Sequence, residues 1–160
     1  MRLLATACDA NHYDLTRDDQ PVASLRLKVG GAGRIELTDG AALLLRREDA
    51  LGARYVITYD MPTGAEPPAP LLRATRSNPL FRSYAVTIDG RQFTLRARSP
   101  WHGDYQLDEG GALAGLITPA GQSRNASATL PDDLPQDAAL ALFCLILTIW
   151  RQGYARVDTL

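Results

Sequence analysis

Residues 138–150 read AALALFCLILTIW, from Ala138 to Trp150, a run without a charge whose only polar groups are the Cys144 thiol and the Thr148 hydroxyl. The residues ahead of it, Leu130 to Asp137, read LPDDLPQD, and Arg151-Gln152-Gly153 follow it. Asp132 or Asp133 can cap a helix here, Pro135 suits a first turn, and Asp137 and Arg151 complement the two ends of the helix dipole. The spacing therefore predicts a helix over about 135–152. It is apolar on every side, so it either crosses a membrane or is surrounded by protein. Thirteen residues cover roughly 20 Å, against roughly 30 Å of hydrocarbon in a bilayer. The run is too short to span, and a tail-anchored membrane protein is the lesser reading. The expectation is a chain wrapped around its own last helix.

The rest of the chain supplies the wrapping. Short alternating runs follow one another from Arg2 to Leu130, each closed by turn residues. Val22 to Val29 sets Leu25, Leu27 and Val29 on one face and Ser24, Arg26 and Lys28 on the other. Asp39-Gly40 and Asp89-Gly90 are two-residue hairpin signals, and the second joins Phe81–Ile88 to Arg91–Arg98. Residues 61–70, MPTGAEPPAP, form a proline-rich solvent loop. About twelve strands result. Six or seven residues of strand rise about 20 to 23 Å, close to the length of the apolar helix. The predicted fold is mainly β: a closed or nearly closed antiparallel barrel of about twelve strands around a buried C-terminal helix, in one domain over 1–160. Closure would also remove the sheet edges.

At this point the residues resemble a family. Phe81-x-x-Tyr84-x-Val86-x-Ile88-Asp89-Gly90-Arg91-x-Phe93-x-Leu95 is similar to the tubby C-terminal-like superfamily, which includes tubby proteins, phospholipid scramblases and LURP-one-related proteins. Tyr105-x-Leu107, Leu113-Ala114-Gly115-Leu116-Ile117 and Leu130-Pro131-x-Asp133-Leu134 before a helix ending Trp150-Arg151 continue the resemblance. It covers most of the chain from about Tyr13 and implies a twelve-stranded barrel around a C-terminal hydrophobic helix. It also implies a non-enzymatic module that binds phospholipid headgroups, another anion or a protein partner. The family's basic lipid-binding residues, calcium loop and lipidated cysteines find no matching positions here.

Bulk properties narrow the function classes. The 160 residues carry a net charge of −1 with 22% charged side chains, so no global field favours nucleic acid. All the basic residues except Lys28 are arginine. Cys8 and Cys144 form no CxxC pair and imply no disulfide framework. The apolar run before Cys8 is shorter than a signal peptide needs, which predicts a cytoplasmic protein, at most peripheral to a membrane.

Arginine presents a planar fork suited to phosphate, so the binding candidates are the outward Arg96 and Arg98, the outward Arg26 with Lys28, and Arg46 and Arg47 after an apolar run. Alternating strands need exterior charge for solubility in any case, and that is the simpler role for these residues. Trp101-His102 with Asp104 offers an alternative, a small enzyme at a barrel end, since a histidine beside a carboxylate can act as a base. No nucleophile signature accompanies it, and Trp101 is expected to pack over the barrel end. His12 and His102, the only histidines, cannot make a common zinc site without carboxylate help, so no metal and no cofactor is expected. Gly30-Gly31-Ala32-Gly33 lacks the spacing and the lysine of a phosphate loop and is predicted to be a hairpin loop.

Overall fold

The structure, a computed structural model, describes residues 1–49, 54–62, 64, 66, 69–78, 82–98, 103–119 and 125–157, with backbone alone for 78 and 152–157. Twelve strands precede one helix. They are β1 (Arg2–Asp9), β2 (His12–Arg17), β3 (Gln20–Lys28), β4 (Ala32–Leu37), β5 (Ala42–Arg47) and β6 (Arg54–Tyr59). Then come β7 (Leu72–Asn78), β8 (Ser83–Ile88), β9 (Arg91–Ala97), β10 (Tyr105–Glu109), β11 (Ala112–Pro119) and β12 (Ala126–Thr129), followed by α1 (Gln136–Val157). Each strand pairs antiparallel with its neighbour in sequence, and β1 closes the wall on β12 through Leu3↔Ala128 and Ala5↔Ala126. The barrel is fully closed, so no strand leaves an unpaired edge.

Alternation along the wall sends one side chain of each pair inward. Leu3, Leu15, Leu25, Ile35, Leu43, Ile57, Leu72, Ile88 and Leu95 are fully buried and surround α1. From Ala138 to Leu147 every helix residue is at most 1% exposed, which identifies the apolar run as the inner core. At about 25 cal/mol per Å², an interior of this kind is the main favourable contribution to folding. The Thr148 hydroxyl donates to the Cys144 carbonyl at 2.8 Å, so the buried polar group in the run is satisfied within the helix.

Several local expectations are corrected. Neither Asp132 nor Asp133 caps the helix. Asp132 pairs with the Met1 ammonium, and Asp133 lies 3.2 Å from Arg91. Pro135 stands just before the helix, its carbonyl accepting from the Ala139 amide at 3.0 Å. The helix also runs past Gly153 to Val157, because one glycine costs only about 1 kcal/mol in a helix interior. Val29 does not join the inner face. β3 ends at Lys28, and Val29 is fully exposed in the turn beyond it. The Gly30–Gly33 stretch is a turn for only half its length, since Ala32 and Gly33 already belong to β4.

The two Asp-Gly turns differ. Asp89 and Gly90 both have positive φ, 49° and 76°, as a two-residue hairpin between Ile88 and Arg91 requires. At Asp39-Gly40 only the glycine does, and the Leu37 amide donates to the Ala41 carbonyl around a three-residue loop. One glycine in the wall is required by packing. A Cβ on Gly115 would lie 2.7 Å from the Thr129 carbonyl oxygen, where β11 passes β12 beside a bulge in β10–β11.

Candidate functional site

The meander places alternate turns at opposite ends of the barrel, and the helix fixes which end is which. Gln136 accepts from Arg17 at 3.0 Å and Asp137 from the Tyr59 hydroxyl at 2.8 Å, so α1 begins at the end bearing the β2–β3 and β6–β7 connections. At the other end the Trp150 indole donates to the Gly103 carbonyl at 2.7 Å and Arg151 to Asn11 at 3.4 Å.

Charge is distributed unevenly between these ends. Among the described residues, the end at the helix start carries Asp18, Asp19, Asp39, Asp60, Asp89, Glu109, Asp132, Asp133 and Asp137. Arg17, Arg91 and the Met1 ammonium answer them. Arg91 holds Glu109 through two bonds of 2.9 Å, lies over the Phe93 ring at 5.1 Å and reaches Asp133. Arg91 accordingly depresses the pKa of Glu109, and the Met1 ammonium depresses that of Asp132. Burial, together with the Asp137 carboxylate, pushes the Tyr59 phenol up to about 12.

The end at the helix finish is basic at its rim. Lys28, Arg46, Arg47, Arg54, Arg82 and Arg98 lie at strand ends there, with Arg26 one turn of the pleat below. Among the described residues Arg26, Lys28, Arg46, Arg47 and Arg98 have no side-chain hydrogen bond and no ion pair. Two acidic groups at this end are already engaged: Glu48 lies 3.8 Å from Arg73, and Asp49 accepts from the Arg54 amide at 3.3 Å. The helix dipole places about half a negative charge at this end, fading within a turn, less than the several formal charges of the rim.

The six candidates do not form one site. Arg26 and Lys28 on β3 and Arg46 on β5 share an outer face. Lys28 pairs with Ala32, and the β4–β5 ladder runs to Gly33↔Leu45, so Lys28 and Arg46 stand two strands apart at nearly one height. At 4.7–4.9 Å per strand that separation is about 10 Å, with the small Ala32 between them. Arg47 follows Leu43 and Leu45 in parity, opposite the buried Tyr55, and so turns toward the barrel mouth. Arg98 lies past the end of β9, on the far flank. Arg96 is not free: its guanidinium donates to Asp108 at 3.0 and 2.5 Å. Gln106 first, and then Arg96, holds the Asp108 carboxyl below its usual range.

Alternation in RYVITY also puts Arg54 outward beside this patch, a signal the sequence already carried and the candidate set omitted. Arg34 adjoins Arg26 in the β3–β4 ladder but is held by Asp60 at 2.6 Å and Glu36 at 3.4 Å.

Inside the same mouth, Tyr55 and Tyr84 meet edge to face at 6.3 Å, and Tyr105 lies 6.4 Å from Trp150. Burial drives the Tyr105 phenol well above its ordinary pKa, and its hydroxyl has no hydrogen-bond partner among the described residues. Trp101 and His102 lie outside the described residues. Asp104 is half-buried, and its carbonyl accepts from the Arg98 amide at 2.8 Å. A concavity of about 590 Å³ opens elsewhere, on the outer wall of β8–β10, lined by Ala85, Thr87, Gln92, Thr94 and Asp108. Its lining carries no cation. No helix among the described residues is long and apolar enough to cross a membrane.

No family model matches the sequence, and no curated protein matches it. Among solved structures, a protein of Arabidopsis thaliana determined by X-ray crystallography is similar, with a TM-score of 0.59 and 15% identity over 91% of this chain and 88% of that one. At that identity the likeness concerns the fold.

Proposed function

We propose that the chain is a non-enzymatic binding module of the tubby-like type whose β3–β5 face takes a phosphate-bearing anion, with a phospholipid headgroup as the leading ligand. The observation that carries this reading is the cluster of Arg26, Lys28 and Arg46, three outward cations without an acidic partner among the described residues. Arg47 and Arg54 extend it toward the barrel mouth. Two long side chains about 10 Å apart across a small residue can close on one phosphate from both sides, and guanidinium can do so with two parallel bonds. Elsewhere on the wall, Arg91 and Arg96 are each matched to a carboxylate, as Arg34 is within this face, and Arg98 stands alone on the far flank, so this face holds the group of unmatched cations. The absence of a cation from the β8–β10 concavity argues against that hollow as the anion site. The module would act in the cytoplasm, docking reversibly on a membrane surface.

Co-sedimentation with vesicles tests the proposal. Binding to anionic vesicles at low salt, absent with neutral vesicles and weakened as salt rises, is the expected result. Replacing Arg26, Lys28 and Arg46 together with glutamine should reduce binding at least tenfold while the circular dichroism stays unchanged. Equal binding by the triple variant would overturn the reading. Binding of free inositol phosphate without vesicle binding would retain the anion site and remove the membrane.

A further inference from the structure

We propose that Cys8, His12 and Asp14 form a surface site for one divalent ion of the zinc class, on the outer wall where β1 meets β2. The three residues are of ligand types that zinc accepts, and their ligand atoms lie within 4.8 Å of one another. Two of the distances, each to a different oxygen of Asp14, come close to those of a coordination shell. Cys8 Sγ is 3.2 Å from one Asp14 oxygen, and His12 Nε2 is 3.4 Å from the other. A tetrahedral ion with bonds of about 2.0–2.3 Å sets its ligands roughly 3.3–3.8 Å apart.

The β1–β2 register makes this arrangement, with a bulge at Cys8. Thr6 pairs with Asp14 and Ala7 with Tyr13, but the next pair is Asp9 with His12, so Cys8 is the extra residue of β1. Alternation from Thr6 keeps Cys8 on the outer face, where its thiol reaches Asp14. Alternation on β2 puts His12 and Asp14 on the same outer face. The turn that joins the strands is itself held in place. Asp9 accepts from the Asn11 amide at 2.8 Å, and the Asn11 carbonyl accepts from the Leu27 amide at 2.8 Å.

Charge also fits. A thiolate and a carboxylate neutralise a divalent ion, His12 enters neutral, and Asp9 lies nearby. Arg26, across the ladder from His12, is the facing cation. On binding, the Sγ–H bond breaks, a sulfur–metal bond forms, and the proton leaves to solvent. A fourth position remains open to water or a small solute, because Cys8 and Asp14 are exposed. The thiolate favours zinc over magnesium or calcium. The site adjoins Arg26 of the anion face but shares no ligand with it, and it stands without the anion reading.

Untagged, reduced protein titrated with Co²⁺ tests the assignment. One equivalent should produce a thiolate-to-cobalt charge-transfer band, which Zn²⁺ then abolishes. Cys8→Ser should remove the band although Cys144 remains, and His12→Gln should weaken Co²⁺ binding at least about tenfold. Alkylation of Cys8 in the unaltered chain gives a second measurement, expected to slow several-fold with one equivalent of Zn²⁺. No band at one equivalent, a band that survives Cys8→Ser, or an unchanged alkylation rate would each overturn the proposal.

Discussion

Where α1 begins, Asp18, Glu109, Asp133 and Asp132 meet Arg17, Arg91 and the chain's own ammonium, and a tyrosine donates to the helix's first-turn aspartate. Where α1 ends, Arg26, Lys28, Arg46, Arg47 and Arg98 stand without such partners among the described residues, above a mouth lined by Tyr55, Tyr84, Tyr105 and Trp150. One end carries an excess of acidic groups, several of them held by nearby cations, and the other carries cations without such partners among the described residues. The contrast separates residues that stabilise the barrel from residues available to bind. Net charge conceals it, because the two ends nearly cancel.

The largest expected effect comes from cutting what joins the ends. Phe143 is fully buried in α1, and Phe143→Ala should cost about 3–5 kcal/mol. Urea unfolding followed by tryptophan fluorescence, which includes Trp150 at the open end, and by circular dichroism should then shift together. Separate transitions would mean the ends are not mechanically one unit.

A smaller effect should distinguish the closed end. Glu109 and Asp132 have folded-state pKa values below their unfolded ones. Their stabilisation is therefore complete above the unfolded values, near pH 4, and is lost as pH falls through the folded values. Melting temperature should drop on acidification below about pH 4, and Asp132→Asn should flatten that drop. An unchanged acid limb in this variant would show that the Met1 pair contributes nothing.

The smallest effect belongs to the open end. Arg46→Ala should change stability by less than about 0.5 kcal/mol in urea titration, as expected for an outward side chain without a partner. A larger loss would place Arg46 in the structural set and weaken its claim to a ligand.

Much of this architecture is legible in local patterns. Alternation marks the strands, turn chemistry separates them, and the match of helix length to strand height indicates closure. The failures are instructive in the same terms. Val29 continues the alternation on paper, but Gly30 and Gly31 end the strand at Lys28, before Val29 can turn inward. Arg96 alternates outward as expected, yet Asp108 on the next strand neutralises it. Arg47 follows an apolar run beside Arg46, yet parity sends the two to opposite sides of the wall. Cys8, His12 and Asp14 share outward parity, but the register that sets them side by side comes from pairing across the β1–β2 turn.

By itself the sequence determined the elements and the nature of the core. Those depend on φ/ψ preferences and apolar periodicity, which act over a few residues. Tertiary structure alone decided which charges are free. Arg96 with Asp108, Arg91 with Asp133 and Met1 with Asp132 are pairs made by strand register and barrel closure across as many as 131 positions of chain. Coulomb attraction and hydrogen bonding depend on ångströms in space, and chain spacing does not report them until the wall has closed.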